Sequence, residues 1–201
     1  MKKIELSDIK NILEYEKIRN NFRNKIIAMK KERRLKVGDR ITLTFENRYT
    51  VTFQIEEMMR IERIVDEEKI NSEIEAYNEL IPADNELSAT LFVEVDEKDL
   101  IKPVLDSLVG MNKNSVFLQV GAGEIPAIFE EGQFSDDRIS AVQYVKFRLS
   151  QEDIKALTES SIMARVVIRH PNYNAAADFP DEMRKSLLKD FTQGDSVNVW
   201  N

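Results

Sequence analysis

The stretch from Ile41 to Val65 constrains the fold most, because its apolar residues change from one period to another with no glycine or proline between them. Its first half alternates apolar and polar residues, as half-buried strands do. A three-residue loop at residues 46–48 would put all the alternating apolar residues on one face of two paired strands. The alternation therefore predicts a β-hairpin, and its apolar positions are Ile41, Leu43, Phe45, Tyr49, Val51, Phe53 and Ile55.

After Ile55 the apolar residues follow a helical period, with Met58, Ile61 and Val65 in one stripe. One interpretation of the charged residues beside this stripe is a solvated row of ion pairs, each of which contributes roughly 0.3–0.5 kcal/mol. The other is a fixed cluster of carboxylates and guanidinium groups beside a sheet edge, which could hold an anion or a hard cation. The charged residues are Glu56, Glu57, Arg60, Glu62 and Arg63.

Local signals predict further helices and strands. Ser7 would cap a first helix, and Ser72 would open a short third. A second helix would follow the pair Asn20-Asn21 and end in the basic residues Lys30, Lys31, Arg33 and Arg34. Strands are predicted at residues 88–95, 141–149 and 162–169, and a hairpin at 115–130. Helices are predicted at 96–110, at 150–159, where Ser150 and Asp153 form a capping box, and from Pro180 onwards. These elements predict one α+β domain over residues 1–192, with a short tail at 193–201. We expect a largely antiparallel or mixed sheet of about seven strands, with helices at both ends and between strands.

The composition excludes several classes of site. The 201 residues include no cysteine and one histidine, His170, so disulfides, thiolate metal sites and sites with several histidines cannot form within one chain. The net charge of −7 disfavours binding to nucleic acid or to anionic lipid. No apolar run approaches the ~20 residues of a membrane helix, and the N-terminal residues lack the pattern of a secretory signal. We therefore expect a soluble, cytoplasmic protein that binds neither nucleic acid nor membrane.

Seven short segments together resemble one bacterial family. They are EYEKIR at 14–19, FR at 22–23, FENR at 45–48, QIEEMMRIE at 54–62, AYN at 76–78, LIP at 80–82 and HPNY at 170–173. The chain resembles the bacterial domain-of-unknown-function family 3501, which is uncharacterised. Members often appear beside rubrerythrin-type and iron–sulfur oxidoreductase proteins. The resemblance thus implies a role near peroxide or iron handling, with a redox protein as partner.

Two functions follow as hypotheses. The first is a non-catalytic accessory or binding protein linked to oxidative stress or iron handling, because the chain lacks cysteine nucleophiles and soft metal ligands. The alternative is an enzyme, or a protein that binds a hard metal or an anion, with a Glu/Arg/His/Tyr cluster around the central hairpin and helix. No catalytic residue and no cofactor follow from the sequence. The candidate ligand-binding residues are Tyr15, Arg19, Glu56, Glu57, Arg60, Glu62, Arg63, His170 and Tyr173, although His170, which precedes Pro171, also suits a turn.

Overall fold

The structure, a computed structural model, describes residues 1–132, 134–135, 138–192 and 200. After a single 3-10 turn at Leu6–Asp8, the helices are α1 (Ile12–Glu32), α2 (Arg48–Glu62), α3 (Glu67–Asn78), α4 (Lys98–Ser107), α5 (Gln151–Thr158) and α6 (Asp181–Thr192). The strands are β1 (Arg34–Val37), β2 (Ile41–Glu46), β3 (Glu86–Val93), β4 (Val116–Val120), β5 (Gly123–Pro126), β6 (Ile128–Phe129), β7 (Phe134–Ser135), β8 (Arg138–Ile139), β9 (Val142–Arg148), β10 (Ala164–His170) and β11 (Tyr173–Asp178).

Two antiparallel sheets form the centre of the protein. One has five strands in the order β1-β2-β3-β9-β6, and the other has four in the order β11-β10-β4-β5. The predicted α+β class and the antiparallel pairing are confirmed. The strands are divided between these two sheets and a small β7-β8 pair rather than collected in one sheet of about seven.

The larger apolar core contains side chains from both sheets. In β2, Ile41, Leu43 and Phe45 are fully buried in this core, which agrees with the apolar face that the alternation predicts. The Phe45 ring meets Phe147 of β9 and Phe179 at centroid distances of 6.4 and 5.5 Å. Strand β2 therefore anchors the five-stranded sheet to the core through every second residue.

The other face of the five-stranded sheet is polar. All six residues of β2 are buried, which means that Thr42, Thr44 and Glu46 are covered as well. Helix α1 packs on α2 through Phe22 and Ile26, which contact Tyr49 and Phe53. The opposite apolar side of α2 packs on α3 and on the N-terminal segment in a separate cluster that contains Val51, Ile55, Met59, Ile74 and Ile4.

The predicted hairpin of residues 41–55 is wrong in its second half, because residues 48–62 form helix α2. Asn47 is the N-cap: its side-chain oxygen accepts hydrogen bonds from the amides of Tyr49 at 3.0 Å and Thr50 at 3.1 Å. The Thr50 hydroxyl accepts in turn from the Asn47 amide at 2.9 Å. Apolar residues at 51, 55 and 59 then fall on one helix face. Val51 and Ile55 fit both the strand alternation and the helical period, and the capping box favours the helix.

The place of the predicted second hairpin strand beside β2 is taken by β1, which precedes β2 in the sequence. The sequence-based interpretation assigned Arg34 to a basic helix end, but α1 ends at Glu32 and Arg34 begins the strand. Gly38 makes the turn between them with φ of +76°. A Cβ atom at this position would lie 2.3 Å from the Tyr173 hydroxyl oxygen, so the tight approach of β11 requires glycine here.

Three further boundaries differ from prediction. Helix α1 continues through Asn20-Asn21 and is capped by Asn11, and α3 is capped by Asp66, six residues before Ser72. Strand β11 was not predicted. The strands predicted at 88–95, 141–149 and 162–169 and the Ser150 capping box are confirmed.

Of the predicted tail, only Trp200 lies among the described residues, and its ring contacts Tyr15 and Phe22. No helix in the described part of the chain is long and apolar enough to cross a membrane.

Replacing the cap should test whether Asn47 decides the helical state of residues 48–62. We expect Asn47→Ala to lower the free energy of unfolding by about 1–2 kcal/mol, measured by urea denaturation, because two amide hydrogen bonds at the helix start are lost. Asn20→Ala, on an exposed position inside α1, is the matched control and should change it by less than about 0.5 kcal/mol. An equal loss in both variants would contradict the role assigned to the cap.

Candidate functional site

Four of the predicted site residues come together between α1 and α2. The carboxylate of Glu57 is the centre of this cluster. Arg19 donates to both of its oxygens, at 2.6 Å from Nε and 2.9 Å from Nη2. The Tyr15 hydroxyl donates to Oε1 at 2.8 Å, and Arg60 donates to Oε2 at 3.1 Å. Arg60 also approaches Glu16, at 3.8 Å.

Hydrogen bonds from three side chains satisfy the Glu57 carboxylate. Burial alone would raise the pKa of Glu57, but the hydrogen bonds from Arg19, Tyr15 and Arg60 lower it to about 2. Burial and the neighbouring Glu57 raise the pKa of Tyr15 well above its usual value. Both Glu57 oxygens have partners, so we interpret the cluster as a bridge that fixes α1 against α2.

Glu56 lies apart from its neighbour. Its side chain is 1% exposed, and Oε1 accepts a hydrogen bond from the backbone amide of Lys10 at 2.7 Å. Burial raises the pKa of Glu56 to about 7, although the Lys10 amide acts in the opposite direction. Glu56 thus holds the segment before α1 and does not share the Glu57 cluster.

The other predicted site residues are also separate. Glu62 is exposed in the last turn of α2, and Arg63 follows as the C-cap in the left-handed conformation, with φ of 54°. The Asn172 amide donates to His170 Nδ1 at 3.3 Å, so His170 Nε2 carries the proton and donates to the carbonyl of Val109 at 3.1 Å. His170 therefore stabilises the turn between β10 and β11.

Tyr173 stabilises the neighbouring turn. Its hydroxyl donates to the carbonyl of Val37 at 2.7 Å and accepts from the Arg40 amide at 3.1 Å. Within the described residues, no three histidine or carboxylate side chains are close enough together to hold a metal ion. The nine predicted residues therefore form one paired cluster and several structural contacts, not a single pocket.

A groove that the sequence did not reveal lies over the polar face of the five-stranded sheet. Its volume is about 720 Å³, and α1 and α2 form its walls. Thr44, Thr90 and Tyr144 line it from three adjacent strands, because the register pairs Thr44 with Thr90 and Thr90 with Tyr144. Glu46 lines it two residues beyond Thr44.

Glu46 is the buried charge of this groove. Its side chain is 2% exposed, and Oε1 accepts from the Thr90 hydroxyl at 2.8 Å and from Gln54 Nε2 at 3.3 Å. Oε2 has no hydrogen-bond partner among the residues that the structure describes. The Lys30 ammonium lies 3.9 Å from Oε2, which is longer than a hydrogen bond.

The sequence contained one sign of this site. Thr42, Thr44 and Glu46 alternate with the apolar residues of β2, which predicts a polar face. The predicted hairpin put Glu46 in a loop and left that face open to solvent. Because helix α2 follows immediately, it covers the polar face instead, and Glu46 becomes buried.

A family model for proteins of unknown function (DUF3501) matches residues 3–191. The chain belongs to this DUF3501 family. The match confirms the resemblance seen in the sequence. The DUF3501 chain is also similar to a solved crystal structure of a novel protein of unknown function from Burkholderia pseudomallei K96243, with 30% identity and a TM-score of 0.87. That likeness covers 94% of this chain and 99% of the other. No curated protein matches the sequence.

The ionisation of Glu56 should make stability depend on pH. Its pKa is about 7 in the folded protein and 4.5 in its ordinary state, so the folded form binds the proton more tightly. Its contribution to the free energy of unfolding is therefore lost as pH rises from 4.5 through about 7. We expect Glu56→Gln to be more stable than the wild type by about 3 kcal/mol near pH 8, with little difference near pH 4.

Urea denaturation at both pH values would measure this difference. Glu62→Gln, on the exposed end of the same helix, is the control and should show no pH-dependent gain. A Glu56→Gln protein that is less stable than the wild type at alkaline pH would contradict the assignment.

Proposed function

We propose that this DUF3501 protein is a non-catalytic binding protein. It binds a small organic molecule in the groove between α1, α2 and the five-stranded sheet. The observation that carries the proposal is Glu46, whose buried carboxylate has one oxygen without a hydrogen-bond partner among the described residues. A buried charged group costs free energy unless it is paired and hydrogen-bonded. A ligand with a hydrogen-bond donor would satisfy that oxygen.

The size and the lining of the groove support the proposal. Its volume of about 720 Å³ lies within the range of about 300–1,000 Å³ that is usual for sites of small ligands. Its walls include the apolar side chains of Phe53, Met58, Ile61 and Phe92. A few polar groups on an otherwise apolar surface are typical of such sites, because the apolar walls give affinity and the polar groups fix orientation.

The distribution of reactive groups supports binding rather than catalysis. The chain has no cysteine, and the one imidazole, that of His170, is hydrogen-bonded in the β10-β11 turn. The carboxylate of Glu57 reaches the groove, but it is held by Arg19, Tyr15 and Arg60. A general acid or base needs a group that can exchange its proton near neutral pH. Glu57, with a pKa of about 2, does not meet that need, and Glu56, with a pKa of about 7, does not line the groove.

The link to oxidative stress or iron handling stays a prediction that rests on the family resemblance, as does a rubrerythrin-type or iron–sulfur oxidoreductase partner. A cytoplasmic location likewise stays a prediction. Affinity capture from native lysate should recover such an oxidoreductase with the tagged protein. Capture of no oxidoreductase, together with purified protein that remains an isolated monomer, would contradict this partner.

The groove itself is tested with the amphipathic fluorophore 8-anilinonaphthalene-1-sulfonate and the folded protein. We expect the dye to bind the wild type and Met58→Trp to weaken binding about tenfold or more, because the larger side chain fills the groove. Met163→Trp is the matched control, because Met163 is exposed and does not border the groove. It should bind the dye as the wild type does.

Near-ultraviolet circular dichroism and the Tm establish that both variants remain folded. Equal dye binding by the wild type and Met58→Trp would contradict the proposal, and so would an absence of dye binding by the wild type.

A further inference from the structure

The groove presents two opposite charges side by side. The Lys30 ammonium and the Glu46 carboxylate are 3.9 Å apart, and both side chains line the cavity. At this distance they attract each other without forming a hydrogen bond. The Lys30 side chain is 31% exposed and that of Glu46 is 2% exposed, so the cation faces the opening and the anion lies at the floor.

Four aromatic side chains line the same groove. Tyr144 comes from β9, Tyr77 from α3, Phe53 from α2 and Phe92 from β3. Aromatic faces attract both aromatic rings and organic cations. The groove therefore combines the Lys30–Glu46 charge pair with an aromatic wall. The other charged side chains in its lining are Lys31, Arg34, which pairs with Glu94, and Glu57, which Arg19 holds.

We propose that the groove binds an aromatic zwitterion of the α-amino-acid type, with its ammonium group on Glu46, its carboxylate on Lys30 and its ring against the aromatic wall. This inference rests on the binding function proposed above. An α-amino acid carries its two opposite charges on one carbon atom, which matches two opposite charges that lie side by side. The Lys30 ammonium lies 3.9 Å from Glu46 Oε2, which is itself buried, so the flexible Lys30 side chain moves aside when the ligand binds. The ligand ammonium then donates to Oε2, and the Lys30 ammonium donates to the ligand carboxylate.

Other ligand classes fit the groove less well. An uncharged apolar ligand would leave Glu46 desolvated and without a hydrogen-bond donor, which is costly. A ligand with negative charge alone would be attracted by Lys30, Lys31 and Arg34, which all line the groove, but it would give Glu46 Oε2 no charged hydrogen-bond donor. A hard cation requires several oxygen ligands, and in the described part of the chain no cluster of three carboxylates exists.

Isothermal titration calorimetry of the folded wild type with four indole compounds tests the assignment. Tryptophan carries both charges, tryptamine only the cation, indole-3-acetate only the anion, and indole neither. We expect tryptophan to bind about tenfold or more tightly than each of the others, because a hydrogen bond to a charged group contributes about 1.5–3 kcal/mol.

Two variants separate the charges. Glu46→Gln should weaken tryptophan and tryptamine by about tenfold and leave indole-3-acetate unchanged or tighter. Lys30→Met should weaken tryptophan and indole-3-acetate and spare tryptamine. Lys25→Met, at an exposed position of the same helix outside this groove, should change none of them. A general loss of structure would weaken all charged compounds alike, and Lys30→Met still tests the proposal if Glu46→Gln does not fold.

Two results would overturn this inference. One is indole binding as tightly as tryptophan to the wild type, and the other is an identical order of the four affinities in Lys30→Met and in the wild type. If the naphthalene dye binds the groove and tryptophan does not bind, the inference is wrong while the binding function stands. If neither binds, both are wrong.

Discussion

The burial of β2 on both of its faces is the constraint on which the rest of the structure depends. Its apolar residues enter the core between the sheets, while its polar residues lie under helices. The end of the strand is held by Arg33, which donates to the carbonyls of Phe45 at 2.9 Å and Glu46 at 3.2 Å and pairs with the buried carboxylate of Asp190. This contact joins α6 to the point where the strand ends and α2 begins. Because α2 starts there without a linker, it must lie over the polar face.

That arrangement gives three nearby carboxylates three different environments. Glu57 is surrounded by two guanidinium groups and a phenol, which hold its pKa near 2. Glu56, one residue earlier, is buried against the Lys10 amide, and burial raises its pKa to about 7. Glu46 keeps one oxygen without a hydrogen-bond partner in the described chain, at the floor of a cavity. Glu46 lines the groove and has an oxygen without a hydrogen-bond partner in the described chain, whereas Glu56 does not line it and both oxygens of Glu57 are hydrogen-bonded. The candidate site therefore centres on Glu46 rather than on the denser Glu57 cluster.

Sequence reasoning succeeded where one pattern had one structural solution. The strand predicted at residues 88–95 and the Ser150-Asp153 capping box each lead to the element that the structure contains. It failed at residues 49–55, where a spacing of two and a spacing of four select overlapping apolar residues. A capping box of Asn47 and Thr50 decided between them, and the amide hydrogen bonds of Asn47 are not visible in an apolar pattern. The same error hid the groove, because a hairpin would have left Glu46 in an exposed loop.

The sequence by itself determined the family, the α+β class, the polar and apolar faces of β2 and the exclusion of thiolate and multi-histidine sites. It also singled out Tyr15, Arg19, Glu57 and Arg60, which do meet, without showing that they neutralise one another. Only the tertiary structure decided which carboxylates are paired. The physical reason is that the pairing of Glu57 and the burial of Glu46 depend on helices and strands that are distant in sequence. Local patterns specify which residues can be buried together, but the packing of α1 and α2 on the sheet specifies which of them keep a group available for a ligand.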